Sequence, residues 1–567
     1  MARIRWIFLL FIPFFSSGQD RYAVIINEVM ADPSPVVGLP NVEWIELKNR
    51  STTPVNLQGW RIADQTGVSG PMPSYLLKPD SLVIVCTSSA ASLLSMYGSC
   101  IVVSSFPSLD NDGDLLSLKA VDGRVIHAIQ YNTSWYGNEL KKQGGWSLEL
   151  KDDHYPCTGA SNWIASIDNK GGTPGQPNSN QELLNDNEAP QLLQTRTINP
   201  TTIIVRFNEP VDSNTAVQTS NYSIDKGIGI SKAEILPPLF NEVQLTLTAP
   251  LQSKMIYVLS LNAITDCKAN TLTGTQTIRT GLPSTAEKGD IILNEILFNP
   301  PPNGYDFIEL YNTGNRIIDA SSLYLANRNG SNQVNAITRI TADTFYIFPG
   351  DYIVVTENRQ SLQRNYRVKD EHVVIEMNSL PSYPDDKGAV LLLDQQGAIL
   401  DEVDYLDEWH FKLLPDKEGV SLERINPAAA SQNPLNWHSA ASTAGYGTPG
   451  YRNSQFMDMD QSYSAIDLFP PVFSPDNDGY DDILSIHYRM QEPGFVATLI
   501  IYDAAGRPIK TLVRNELLGI EGNWTWDGLG DRNQILPAGI YVVCTNLFTL
   551  TGKRKQFKKI VVLARKI

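Results

Sequence analysis

Cysteine is scarce in this chain and poorly placed for metal binding. Five occur in 567 residues: Cys86, Cys100, Cys157, Cys267 and Cys544. The number is odd and no CxxC is present, which argues against a structural zinc site. In an oxidising compartment Cys86 and Cys100 are spaced to close a loop; the competing reading is a pair of buried, unbonded thiols. The six histidines are scattered, with no HExxH and no close pair, so a zinc hydrolase site lacks support. GxSxG, the Walker loop and the dinucleotide fingerprint are all missing. Charged residues make up only 19% of the chain, and the net charge is −16. A surface of that sign repels phosphate backbones, so nucleic acid is not an expected partner. A basic stretch at 553–559 reads as a solvated strand or hairpin. Beyond the N-terminus no run of about 18 apolar residues occurs, so no transmembrane span is expected in the mature chain.

What is present points to short strands. Hydrophobic residues make up 42%, with 39 Gly and 35 Pro to punctuate them. Arg3 and Arg5, an apolar stretch at 6–15 and Ser16-Ser-Gly18 form a secretory leader, giving a signal peptide over 1–18. A long repeat follows. Ile25-Ile-Asn-Glu-Val-Met-Ala-Asp-Pro33 matches Ile292-Leu-Asn-Glu-Ile-Leu-Phe-Asn-Pro300, and Glu43-Trp-Ile-Glu-Leu-Lys-Asn49 matches Asp306-Phe-Ile-Glu-Leu-Tyr-Asn312. Trp146-Ser-Leu-Glu149 matches Val420-Ser-Leu-Glu423, and both copies close on Gly-Thr-Pro-Gly, at 172–175 and 447–450. Apolar and polar residues alternate over five to eight positions, and Asp122-Gly123 and Gln396-Gly397 mark hairpin turns. Each copy therefore reads as a β-sandwich of about seven to nine strands, in an all-β chain of tandem Ig-like sandwiches.

The Asn-Glu of the first strand, the Glu-Trp-Ile-Glu-Leu-Lys-Asn run and Leu57-Gln-Gly-Trp-Arg-Ile-Ala63 resemble the lamin-tail domain; Leu323-Tyr-Leu-Ala326 takes the corresponding place in the second copy. The resemblance implies an immunoglobulin-like sandwich and a binding or tethering role in exported, surface-associated bacterial proteins. The two copies would span 22–179 and 288–454. Between them, at 187–283, Phe207-Asn-Glu-Pro-Val211 resembles bacterial Ig-like spacer domains. Residues 464–567, with Val472-Phe-Ser-Pro-Asp-Asn-Asp-Gly-Tyr-Asp-Asp482, resemble the C-terminal Ig-like modules of Bacteroidetes secreted proteins, of the gliding-motility or hook-capping type. That resemblance implies export and surface attachment by the type IX secretion machinery. The expected location is secreted or on the outer-membrane surface, and the expected partner is a cell-surface glycan or protein.

Four sets of side chains are candidates for chemistry. Asp476, Asp478 and Asp482 offer part of a Ca²⁺ ligand set, and Ca²⁺ is the sole cofactor considered; the alternative is a solvated Asx turn. The similar loop at 110–114 is read as a turn, because a lysine enters it in the second copy. Glu28, Glu46, Glu295 and Glu309 recur with Asn27, Asn49, Asn294 and Asn312. Paired carboxylates suit acid–base hydrolysis, but the repeated set has no nucleophile, and such groups equally serve buried hydrogen bonds. Trp135 and Trp409 lie in polar loops and are candidate ligand contacts, whereas Trp44, Trp60, Trp163 and Trp437 read as core. The chain is thus expected to bind or scaffold without catalysing. The competing reading is a secreted glycan or phosphoester hydrolase that uses loops of the repeated domains.

Overall fold

The computed structural model describes residues 21–157, 159–184, 186–457 and 464–565; the leader expected at 1–18 lies outside them. The chain divides into two compact units at about residue 280, with the short stretch Gln252–Ile256 belonging to the second. Both are built of β-sheets.

In the first unit, the first repeat begins with a six-stranded sheet. Its spatial order is Trp163–Ala165, Leu148–Leu150, Val24–Met30, Trp44–Asn49, Leu82–Cys86, Cys100–Val102, antiparallel except for the last pair. A three-stranded sheet of Arg61–Ala63, Gly113–Lys119 and Val125–Asn132 supplies the other half of the core. Val24, Ile26, Val29, Ile45 and Leu47 from one sheet pack in one cluster with Ile62, Leu116, Leu118 and Ile126 from the other. Gly123 turns the hairpin between the last two strands at φ +83°, as its sequence position predicted.

The first strand does not alternate simply, and its register explains why. The pairing with Trp44–Asn49 shifts between Ile26 and Glu28, which places a β-bulge at Asn27. One extra residue reverses the parity of everything after it. Val24 and Ile26 face the core before the bulge and Val29 faces it after, so Glu28 is turned to the opposite face beside Glu46. The second repeat has the same shift between Leu293 and Glu295. On that opposite face, helix Ser88–Leu94 covers Met30, Trp44, Ile84 and Cys86.

The rest of the first unit is a four-stranded sheet (Leu192–Asn199, Thr202–Phe207, Glu242–Leu247, Ile230–Leu236) and a three-stranded one (Tyr222–Ile224, Tyr257–Leu261, Gln276–Thr280). A disulfide joins Cys157 of the first repeat to Cys267 of this sandwich, with Cα atoms 6.3 Å apart. Of the two readings of Cys86 and Cys100, the unbonded one holds: both are free, as is Cys544. In the parallel pair, Cys100 sits opposite Ile84 and Cys86 opposite Val102. Burial raises both thiols, Cys86 to about 12, and the two act on each other as hydrogen-bonding neighbours without a bond between them.

In the second unit, the second repeat has a six-stranded sheet ordered Val374–Glu376, Tyr352–Thr356, Phe307–Asn312, Ile291–Leu297, Leu422–Arg424, Trp437–Ser439. Its partner sheet has four strands, Val334–Arg339, Leu323–Arg328, Lys387–Asp394 and Ile399–Leu406, the first being an addition relative to the other copy. The repeats hold eleven and twelve strands among the described residues, more than the seven to nine expected. The surplus consists of pieces two or three residues long, too short for alternation to register. The terminal sandwich pairs a three-stranded sheet (Ala465–Phe469, Leu484–Arg489, Glu521–Trp526) with a five-stranded one (Val472–Phe473, Arg554–Leu563, Gly539–Phe548, Val496–Asp503, Pro508–Leu517). Phe411 of the second repeat packs on Val496 and Leu517 of this sandwich. The basic stretch forms most of the Arg554–Leu563 strand, with Arg554, Lys558 and Lys559 exposed.

A disulfide across two sandwiches restricts the unfolded chain strongly. Replacing Cys157 and Cys267 by Ser is expected to lower the stability of the first unit by about 2–5 kcal/mol in urea denaturation. Thiol titration of the denatured protein should count three thiols before reduction and five after; five before reduction would refute the bond.

Candidate functional site

The repeated carboxylates lie on the outer face of each six-stranded sheet, the face turned outward by the bulge. Glu28 stands directly opposite Glu46 on one side and Glu149 on the other. Glu295 stands likewise between Glu309 and Glu423. All six have zero exposure. Glu149 and Glu423 are members of each set that sequence reading passed over, although they stand in the matched Ser-Leu-Glu.

The closing Gly-Thr-Pro-Gly runs across these carboxylates, and each of its residues has a physical task. A Cβ on Gly172 would come within 3.0 Å of Glu28 Oε1 and 2.9 Å of Ser147 Oγ, so only glycine lets the backbone approach. The Thr173 amide donates to Glu28 Oε1 at 2.7 Å. Pro174 has no N–H to satisfy. Gly175 adopts φ +75° and donates its amide to Glu46 Oε2 at 2.5 Å. Ser147 Oγ donates to Glu28, and Ser179 Oγ and the Asn180 amide donate to Glu149. The second copy repeats this arrangement: the Thr448 amide on Glu295 at 2.8 Å, the Gly450 amide on Glu309 at 2.7 Å, and Ser454 Oγ and the Gln455 amide on Glu423, both at 2.8 Å.

The asparagines knit this segment to the bulge. Asn27 Nδ2 donates to Glu46 at 3.0 Å and to Asn178 Oδ1 at 2.8 Å, while Asn178 Nδ2 donates to the carbonyls of Asn27 and Leu150. Asn294 and Asn453 do the same beside Glu309, with Asn453 reaching the carbonyls of Asn294 and Arg424. Asn49 and Asn312 serve elsewhere: each donates to two loop carbonyls at the far end of its strand. Burial raises Glu46 to about 7 and Glu295 to about 8, and holds Glu28 and Glu309 well above the ordinary carboxylate range. Neighbouring glutamates add to the rise, and the hydrogen bonds oppose it.

Beside this cluster the two copies differ. In the first, a cleft of about 490 Å³ is lined by Asn27, Lys48, Arg50, Asp152, Asp153, His154 and Asn178, among others. Lys48 is ion-paired with Asp153, and His154 Nδ1 lies 3.1 Å from Asp152 and 3.2 Å from Asp153. In the second copy, Tyr311 and Tyr352 stand at the positions of Lys48 and Leu82 and stack with ring centres 4.4 Å apart.

Among the described residues three groups have carboxylate or imidazole donors close enough to share a divalent ion: Asp152, Asp153 and His154; Asp186, Glu209 and Asp266; and Asp476, Asp478 and Asp482. The last was anticipated from sequence. Within its loop, Asp482 accepts the amides of Asp476, Asn477 and Gly479, and Asp478 accepts that of Tyr480. Glu209 in the second group is raised to about 7 by burial and by Asp266, Asp186 and Glu188.

The tryptophan candidates are corrected by their packing. The turn Thr133–Tyr136 folds Trp135 back against Trp163, with ring centres 5.9 Å apart, and leaves it 9% exposed. Trp409 packs partly buried against the core of the second repeat. Polar sequence neighbours do not determine where an aromatic side chain points, and neither ring stands free as a platform.

The Lamin Tail Domain family model matches residues 18–133 and 284–407, one stretch in each repeat. No curated protein matches it. Among solved structures, the N-terminal part of the bacterial S-layer protein SbsC is 18% identical over 28% of this chain and 44% of its own, with a TM-score of 0.16. Dimeric latent PorU from Porphyromonas gingivalis is 10% identical over 71% of this chain and 35% of its own, with a TM-score of 0.15. PorZ of the same organism, described as an essential bacterial surface component of the type-IX secretion system, is 10% identical over 94% of this chain and 75% of its own, at 0.17. The chain spans less than half the length of the first two. Likeness at this level carries nothing about the arrangement or role of this chain.

The asparagine bridge should be costly to remove. Asn178→Ala or Asn453→Ala strands buried carbonyls and is expected to cost about 1–3 kcal/mol in urea denaturation. Leu183→Ala, at an 83% exposed side chain, should stay within about 0.5 kcal/mol. Equal effects would mean that the bridge contributes nothing.

Proposed function

We propose that the protein is an exported bacterial surface protein that binds or scaffolds through its lamin-tail domains and catalyses no reaction. The observation that supports this best is the Cys157–Cys267 disulfide between two sandwiches, a bond suited to oxidising compartments outside the cytosol. The burial of the glutamates beneath the closing segments supports the non-catalytic part, because a substrate would have to displace that segment to reach them. Among the described residues no helix is long and apolar enough to cross a membrane. Attachment is assigned to the terminal sandwich from residue 464, which resembles C-terminal sorting modules and would act as the signal for type IX export. The partner is a cell-surface glycan or protein, reached through loops of the lamin-tail domains. Ca²⁺ at Asp476, Asp478 and Asp482 belongs to this reading and would rigidify the first long loop of the terminal sandwich.

Cell fractionation with surface protease accessibility tests the export assignment. The full chain should appear outside the cell and a chain ending before Ser464 should be trapped in the periplasm; the same location for both would remove the sorting role. Calorimetry tests the ion. Saturating Ca²⁺ should raise the Tm of the terminal sandwich in the wild type and leave Asp482→Asn unmoved. An unchanged wild-type Tm would strike Ca²⁺ from the reading.

A further inference from the structure

Each closing segment presents one hydroxyl to two buried carboxylates. Thr173 Oγ1 lies 3.2 Å from Glu28 Oε2 and 3.0 Å from Glu149 Oε1. Thr448 Oγ1 lies 2.9 Å from Glu295 Oε2 and 2.9 Å from Glu423 Oε1. A hydroxyl carries one proton. If both carboxylates were ionised, the threonine would satisfy one and set its lone pairs against the other, in a site screened from water. A proton on one of the two carboxyls removes the conflict: the acid donates to the hydroxyl, and the hydroxyl donates to the other carboxylate.

The remaining contacts identify the protonated atom. Glu28 Oε1 already accepts from Ser147 Oγ at 2.6 Å and from the Thr173 amide at 2.7 Å, leaving Oε2 to the threonine. Glu149 Oε2 likewise accepts from Ser179 Oγ at 2.8 Å and from the Asn180 amide at 3.1 Å, leaving Oε1 to the threonine, but Glu28 stands between two carboxylates, Glu46 and Glu149, and so is the harder of the two to ionise. In the first copy the proton thus belongs on Glu28 Oε2. In the second, Glu295 Oε1 accepts from Ser421 Oγ and the Thr448 amide, and Oε2 again faces the threonine.

The geometry points to a proton latch in each lamin-tail domain: Glu28 or Glu295 retains a proton, shares it through Thr173 or Thr448 with Glu149 or Glu423, and thereby holds the Gly-Thr-Pro-Gly segment closed. The charges around each pair do not replace that proton. In the first copy Glu46 faces the pair from the adjacent strand with Lys48 beyond it, and Lys141 acts on Glu149 from the loop side. In the second, Glu309 faces the pair from the adjacent strand, Tyr366 and Tyr451 face it from the helix end and closing segment, and Arg367 and Arg452 act on Tyr451 and on Tyr352 further out. Among the described residues none of these bridging glutamates has an ion-pair partner.

Burial raises Glu28 well above the ordinary range and Glu295 to about 8, and Glu423 is raised as well. Between the unfolded and folded values the folded state holds more protons, so stability falls as pH rises. In the second copy the proton's contribution is fully present below the unfolded value near 4.5 and is lost as pH rises through about 8; in the first copy it is lost in the same direction. On opening, one proton leaves each latch for water and two carboxylates remain on a single hydroxyl.

The test uses the full chain and the double substitution Glu28→Gln with Glu295→Gln. Each amide reproduces the protonated acid, its oxygen taking the Oε1 contacts and its NH₂ facing the threonine. Infrared difference spectra between pH 6 and pH 9 should show the C=O stretch of protonated carboxylic acids lost on raising pH, with the share from Glu28 and Glu295 missing in the variant. Hydrogen-exchange protection factors at residues 173, 175, 448 and 450 should fall by up to about tenfold per pH unit between the unfolded and folded values in the wild type and level off above the folded value, and should stay level throughout in the variant. Wild-type protection that is flat to pH 9, or an acid band that is unchanged by the substitutions, overturns the latch. Should the variant fail to fold, the wild-type pH dependence of the band and of the protection factors decides alone.

Discussion

A carboxylate removed from water has to be given donors, and this requirement organises each of the two repeats. The six glutamates find theirs mainly in backbone amides and hydroxyls of the closing segment, which lies 145 residues beyond Glu28 and 153 beyond Glu295. Removing one member of such an arrangement strands its partners, at a cost of several kcal/mol when a charge is left behind. The sheet therefore cannot bury its outer face until the closing segment is in place, and that segment has no other structure to hold it. Neither half is stable without the other, so the domain behaves as one cooperative element despite the long loop between its parts.

This dependence bears on where the domain ends. The family match stops at residues 133 and 407, before the strands that carry Glu149 and Glu423 and well before the closing segments. A fragment cut there would expose Glu28 and Glu46 beside a bare sheet edge. The physical domain runs on through Ser179 in the first copy and Gln455 in the second, because those residues complete the hydrogen bonds of the third glutamate.

Much of this was legible in the sequence, and the failures have physical causes. The duplication and the all-β class were readable because they rest on order and alternation, which are properties of the chain itself. Asn27, Glu28 and Glu46 were readable as buried hydrogen-bonding groups because they recur without any nucleophile. Glu149 was not, since Leu148–Leu150 is only three residues long and no periodicity develops in it. The threonine of Gly-Thr-Pro-Gly was hidden by its neighbours, glycine and proline, which read as punctuation. Cys86 and Cys100 stayed open between a bonded pair and free thiols, because that choice turns on geometry; both are free, and the bonded pair is separated by 110 residues. Parallel register, which fixes that geometry, leaves no local trace in sequence.

The duplication also separates what the fold requires from what each copy is free to vary. The carboxylate cluster, its threonine, the asparagine bridge and the bulge occur in both copies with nearly the same distances. Two domains that differ at most other positions retain these because losing any of them leaves a buried group unpaired. A few ångströms away the constraint lapses. Lys48 and Leu82 in one copy give way to Tyr311 and Tyr352 in the other, and an open charged cleft gives way to a stacked pair of rings. Both solutions cover the same backbone, so folding does not choose between them. The duplicated scaffold thus presents two unlike faces, a charged cleft beside one carboxylate cluster and a stacked tyrosine pair beside the other.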